Sequence, residues 1–169
     1  ELGDALRQAY LDRVVSLVPH GRAGALRIVH TAMHGVGGAT ALQAFARAGY
    51  HEVVSVAEQA EPDPEFPTVA FPNPEEAGAL DLAFALATDV EADLIIANDP
   101  DADRCSIAVP TETGWRQLTG DEVGWLLGSQ AASYAALGDS PAVLAASVVS
   151  SRMLERIAAA HGLGFRSTL

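Results

Sequence analysis

A short apolar run, Leu94-Ile95-Ile96, passes within three residues into a stretch with a carboxylate at every second position: Asn98-Asp99-Pro100-Asp101-Ala102-Asp103-Arg104. The apolar run reads as a buried strand. In extended backbone alternate side chains share a face, so Asp99, Asp101 and Asp103 are able to converge on one point. Converging carboxylates repel unless a cation lies between them. An all-oxygen donor set favours a hard cation such as Mg²⁺. The carboxyl end of a strand is also where α/β sheets place their ligands.

Three other readings compete for this loop. A calcium-binding EF-hand needs Gly at position six and Glu at twelve. Counted from Asp99, those positions hold Arg104 and Pro110, so the pattern fails. A phosphatase with an aspartyl nucleophile also places its Asp after an apolar strand, which gives Asp99 that role and Asp101 the acid/base role. Such sites carry Thr or Val where this chain has Asp103. The third alternative is an acidic turn with no ligand. Arg104 weighs against it, since a guanidinium beside a carboxylate triad suits a phosphate bridging metal and arginine.

The rest of the chain is a 169-residue sequence with 49% hydrophobic content, enough for one good core or for one domain and part of another. Its net charge of −12 argues against a nucleic-acid partner, which requires a basic face. A lone cysteine, Cys105, excludes an internal disulfide and fits a reducing cytosol. Five scattered histidines give no zinc spacing. No run reaches the length of a membrane span. The start at Glu1-Leu2-Gly3-Asp4 and the end at Thr168-Leu169 read as those of an excised fragment.

Helix and strand signals alternate. Leu6, Tyr10, Val14 and Leu17 recur at helical spacing, with Pro19-His20-Gly21 as the stop. Residues 26–30 read as a strand, 31–38 as a Gly-rich turn, 39–48 as a helix closed by Gly49, and 51–56 as a strand. A helix is predicted over 77–88, with Asn73 as cap and Pro74 at its first position. Strands follow at 105–109 and 115–118. Such alternation gives a layered α/β sheet. At Thr119 the pattern restarts with a capping box to Glu122, a helix face of Val123, Leu126, Leu127 and Tyr134, a strand over 142–146, and a helix from Ser150 or Ser151 to His161, stopped by Gly162. The expected domains are 1–118, a three-layer α/β/α mixed sheet, and 119–169, an incomplete α/β unit with too few strands for a whole sheet domain.

Two further segments carry a signal. In Thr31-Ala32-Met33-His34-Gly35-Val36-Gly37-Gly38, Gly35 and Gly37 resemble the start of a dinucleotide fingerprint, with Glu58 near its ribose acid. Thr40 stands at the third glycine position, so a tight structural turn is the better reading, with His34 either a turn residue or a site residue. From Gln59 to Glu76, prolines at 62, 64, 67, 72 and 74 forbid regular helix. Phe66, Val69 and Phe71 are expected to stack and order this cover. Cys105 reads as a small buried strand residue. Trp115 and Trp125 read as packing residues, and Gly120-Asp121-Glu122 as a helix N-terminus.

Together these segments resemble the α-D-phosphohexomutase superfamily, the phosphoglucomutases and phosphomannomutases. The resemblance covers 31–38, 59–80, 97–104 and 118–128. The metal loop with Phe71-Pro72-Asn73-Pro74-Glu75-Glu76 is most similar to the branch of eukaryotic phosphopentomutase and related bacterial phosphoglucomutases. It implies a four-domain parent, of which this chain is the second domain and the start of the third. It also implies Mg²⁺ held by Asp99, Asp101 and Asp103 with one phosphoserine oxygen, and Arg104 holding the phosphoryl group. The implied reaction is phosphate transfer from that serine to a phosphosugar through a sugar bisphosphate, which also serves as activator. No serine here stands in the superfamily's Ser-His-Asn-Pro setting. The nucleophile, the sugar-recognition loop and the distal phosphate loop belong to the first, third and fourth domains. An aspartyl-nucleophile sugar phosphatase and a non-catalytic metal or sugar-phosphate module remain as alternatives.

Overall fold

The computed structural model describes residues 3–18, 25–138 and 141–169. Pro19-His20-Gly21, the predicted stop of the first helix, lies outside the described residues. The chain divides into two units, Glu1–Gln117 and Leu118–Leu169.

In the first unit the apolar runs become strands β1 (Arg27–Thr31), β2 (Glu52–Ser55), β3 (Leu94–Asn98), β4 (Cys105–Thr111) and β5 (Gly114–Gln117). They form one sheet in the order β2-β1-β3-β4-β5. The first three are parallel, and β4 and β5 are antiparallel additions at one side. The helices are α1 (Asp4–Ser16), α2 (Gly38–Arg47) and α3 (Asp81–Asp89). α2 carries the chain from β1 to β2, and α3 precedes β3, as parallel pairs require.

Strand periodicity assigns the two faces. Val29 lies opposite Ile95, and Ile95 opposite Ala108. These three pack with Val56 and with Ala83, Ala87 and Ala92, the residues of α3 and its exit, to form the buried core. Small alanines let α3 lie close on the sheet. His30, one residue along from Val29, faces the other side, where its ring meets Phe45 of α2 edge-on at 5.9 Å. Helices therefore cover both faces, the three-layer α/β arrangement that the alternation predicts.

Three local expectations need correction. The helix after the Pro-rich segment begins at Asp81, not Ala77. Asn73 does not cap it; its Oδ1 accepts the Glu75 N–H at 3.2 Å in a local turn. Residues up to Leu80 run in turns, with Gly78 at φ +81. Phe66 and Val69 are half-buried and Phe71 is exposed. Cys105 is exposed rather than buried.

The second unit contains α4 (Gly120–Ala135), β6 (Val143–Ser147), α5 (Met153–Ala160) and β7 (Gly164–Thr168). Both halves of the predicted capping box are made: Glu122 N–H donates to Thr119 Oγ1 at 3.2 Å, and Thr119 N–H to Glu122 Oε2 at 2.9 Å. Ser151 Oγ accepts the Met153 N–H at 3.1 Å where α5 begins. β6 and β7 pair in parallel as a two-stranded sheet. No helix among the described residues is long and apolar enough to cross a membrane.

Candidate metal centre

β1 and β3 are parallel neighbours, so the loops leaving their carboxyl ends are side by side. The loop after β3 carries the aspartates. It is a closed ring of hydrogen bonds rather than an open extension. Asp99 O accepts the Ala102 N–H at 2.9 Å, and Ala102 takes a left-handed φ of 57 to turn the chain. Asp99 Oδ1 accepts the Arg104 N–H at 2.9 Å. Asn98 Nδ2 donates to Arg104 O at 3.0 Å, tying the two ends of the loop together.

The three carboxylates do converge. One oxygen from each of Asp99, Asp101 and Asp103 lies within 4.8 Å of the other two. Asp99 is 1% exposed, whereas Asp101 and Asp103 are exposed. The guanidinium of Arg104 joins them, with Nε 2.9 Å from Asp99 Oδ2 and 3.5 Å from Asp103 Oδ1. Burial works to raise the Asp99 carboxyl, but the bonds from the Arg104 backbone and guanidinium hold it below the usual carboxylate range. Asp103 moves the opposite way: its hydrogen bond with Asp99 and the charge of Asp101 push it up. An all-oxygen set of this density, with two members open to solvent, fits a hard divalent cation.

The Gly-rich turn after β1 lies directly beneath this loop. Val36 N–H donates to Pro100 O at 2.8 Å. A Cβ on Gly35 would stand 2.4 Å from both Pro100 Cα and O, and one on Gly37 would stand 2.6 Å from Ala102 Cβ. Gly35 lets two backbones touch and Gly37 makes room for the Ala102 methyl; that is their role here, in place of a dinucleotide turn. His34 is buried, with its Nε2 2.8 Å from Thr68 Oγ1. Thr68 also accepts from Gln59 Nε2 at 2.9 Å, and Gln59 Oε1 accepts from Thr31 Oγ1 at 2.6 Å. His34 thus fastens the Pro-rich segment to the end of β1. Glu58 is exposed on a short turn, Ala57–Gln59.

Three residues to which the sequence pattern gave no place at the site complete it. Because the Asn98 amide nitrogen donates to Arg104, its oxygen faces His30 Nε2, at 3.1 Å. An amide oxygen only accepts, so His30 Nε2 carries the proton. Burial lowers the His30 pKa and the Asn98 bond opposes this, leaving a net decrease and a neutral ring. Asn73 Oδ1 lies 3.3 Å from Arg104 Nη1. The signal for Asn73 was its place between Pro72 and Pro74, where the backbone has little freedom to redirect a side chain.

Residues 8–114 match the family model described as phosphoglucomutase/phosphomannomutase, alpha/beta/alpha domain II. The chain belongs to the phosphoglucomutase/phosphomannomutase family. Among relatives, a probable phosphomannomutase of Haemophilus influenzae is 44% identical over 169 residues, covering 99% of this chain and 34% of that protein. The phosphopentomutase of Homo sapiens is 42% identical over 154 residues, covering 85% of this chain and 25% of that enzyme. The chain therefore spans about a third or less of the length of these relatives. The crystal structure of a phosphoglucomutase/phosphomannomutase family protein from Burkholderia thailandensis superposes with a TM-score of 0.76 at 24% identity, over 96% of this chain and 32% of that one. That likeness concerns the fold. The matched domain II segment contains every residue of the carboxylate loop and of the turn beneath it.

Proposed function

We propose that these residues form the metal-binding segment of a phosphosugar mutase, an enzyme that moves phosphate between C1 and C5 or C6 of a sugar. The observation that carries this reading is the set of three carboxylate oxygens within 4.8 Å, with the Arg104 guanidinium bonded to the buried member. Family membership supports the reaction class.

In this reading Asp99, Asp101 and Asp103 hold Mg²⁺, and Arg104 holds a phosphoryl group. Mg²⁺, when bound, neutralises phosphoryl oxygen charge and makes the phosphorylated serine a better leaving group. The chain's own residues do the positioning. Asp99 is fixed by three bonds to its own loop and anchors the cluster. Asp101 and Asp103 extend outward from it. Arg104 presents a charge that survives at any working pH. Phosphoryl transfer mostly requires this kind of placement and neutralisation. Residues 1–118 then correspond to the second domain of the parent and 119–169 to the start of the third. The phosphoserine, the sugar-recognition loop and the distal phosphate site are supplied by the parent's other domains, with a sugar bisphosphate as activator. An exposed Cys105 without a partner suits a reducing compartment such as the cytosol.

The test is a phosphosugar assay on the complete protein that carries this segment. Mg²⁺-dependent interconversion of a sugar 1-phosphate and its 5- or 6-phosphate is expected. It should fall about 100-fold or more in Asp101→Asn and in Arg104→Ala. The isolated segment should show no turnover, since the reacting groups must converge within a near-attack geometry. A phosphoaspartate at Asp99, found by mass spectrometry, would replace this reading with the phosphatase.

A further inference from the structure

The Phe71-to-Glu76 motif has no role in the function proposed above, yet it ends at Arg104. The Arg104 side chain is 56% exposed, so packing does not orient it. Two hydrogen bonds on different nitrogens do. Nε donates to Asp99 Oδ2 at 2.9 Å and Nη1 donates to Asn73 Oδ1 at 3.3 Å. A guanidinium is planar, so a bond at Nε and another at Nη1 set both the position of its plane and its rotation. The Asn73 side has a rigid base. Asn73 lies between Pro72 and Pro74, and its Oδ1 is further held by the Glu75 N–H at 3.2 Å. Pro74 is buried, and its carbonyl accepts from Gln117 Nε2 at 2.7 Å. Gln117 is itself bonded to Ser106 Oγ at 2.7 Å. The chain of contacts therefore runs from β4 and β5 through the proline strap to the guanidinium.

We propose that Asn73 is a positioning residue for Arg104, and that the strap exists to aim the guanidinium at the phosphoryl group. This rests on the mutase reading of Arg104. Asn73 touches no reacting atom in this account; it acts through the arginine. Its carboxamide oxygen is the only part of Asn73 the role requires.

Two substitutions separate aiming from folding. Asn73→Ser keeps an oxygen for the Glu75 N–H but is too short to reach Arg104. Asn73→Asp keeps both contacts. In the complete protein, Asn73→Ser should lower kcat about 10-fold to 100-fold with little change in KM or in Mg²⁺ affinity, and Asn73→Asp should restore most of the rate. In an Arg104→Ala background Asn73→Ser should have no further effect. Nitrogen NMR of the 169-residue chain gives a readout apart from turnover. The two Nη groups of Arg104 should give separate signals in the wild type and in Asn73→Asp, and merge in Asn73→Ser as the guanidinium rotates freely. Unchanged kcat in Asn73→Ser, losses that multiply with Arg104→Ala, or separate Nη signals in Asn73→Ser would each overturn the proposal. Full turnover by Arg104→Ala alone would instead remove the mutase reading of Arg104, and this inference with it.

Discussion

Asp99, Asp101 and Asp103 look equivalent on paper, but the fold gives them different duties. Asp99 is buried and binds its own loop through Arg104, while Asp103 is exposed and largely answers to its acidic neighbours. Asp99→Asn should therefore cost stability, about 2–3 kcal/mol, because charge-assisted hydrogen bonds are lost at a buried position. Asp103→Ala should leave stability within about 0.5 kcal/mol of wild type. Urea unfolding of the two variants checks this, and equal losses would show that Asp99 is not the anchor. Asp101→Asn should abolish Mg²⁺ binding to the 169-residue chain without unfolding it. Calorimetric titration that finds wild-type affinity in this variant would remove the loop as the metal site. The triad was legible because its spacing is visible in a sequence, although the carboxylates converge through the turn at Ala102 rather than along extended backbone. The bonds to Asn73 and His30 were not, since they cross 31 and 68 residues of chain.

Among the elements, the turn after β1 and the loop after β3 behave as one piece. Gly35 faces backbone atoms of Pro100 that cannot move aside, so Gly35→Ala should destabilise by about 3 kcal/mol and weaken Mg²⁺ binding with it. Gly37 faces only the methyl of Ala102, which already sits at a left-handed φ. Gly37→Ala should cost about 1–2 kcal/mol, and adding Ala102→Gly should recover most of it, since that change removes the clashing methyl and suits the backbone. Thermal unfolding of the single and double variants decides the matter; additive effects would mean that Gly37 is not there for contact with Ala102. The strands and most helices followed from apolar periodicity. The late start of α3 did not, because Asn73-Pro74 looks like a helix entry in sequence while Gly78 and a local Asx turn hold the chain out of helix until Asp81. The glycine pair after β1 reads as a tight structural turn, but what it turns against, the backbone of Pro100 and the methyl of Ala102, lies more than 60 residues away in sequence.

At the scale of the whole chain, stability should depend on pH through His30. Its folded pKa lies below the value of a free histidine, so the unfolded chain binds the proton first as pH falls. The contribution is complete above the unfolded pKa of about 6.5 and is lost progressively below it, down to the folded pKa. Urea unfolding between pH 7 and pH 5 should show this slope, and His30→Gln should flatten it. The two units should also differ: the parallel pair β6–β7 is a small sheet, so amides of 118–169 should exchange faster than those of β1, β3 and β4. Equal protection in both would contradict it. The ring of bonds that closes the aspartate loop through Asn98, Asp99 and Arg104 has a kinetic consequence. A site whose shape is maintained by its own stem has no folding step to wait for when an ion arrives. Metal capture should then run at the pace at which Mg²⁺ sheds its hydration water, and chelation should strip the ion while leaving an intact, reusable cradle.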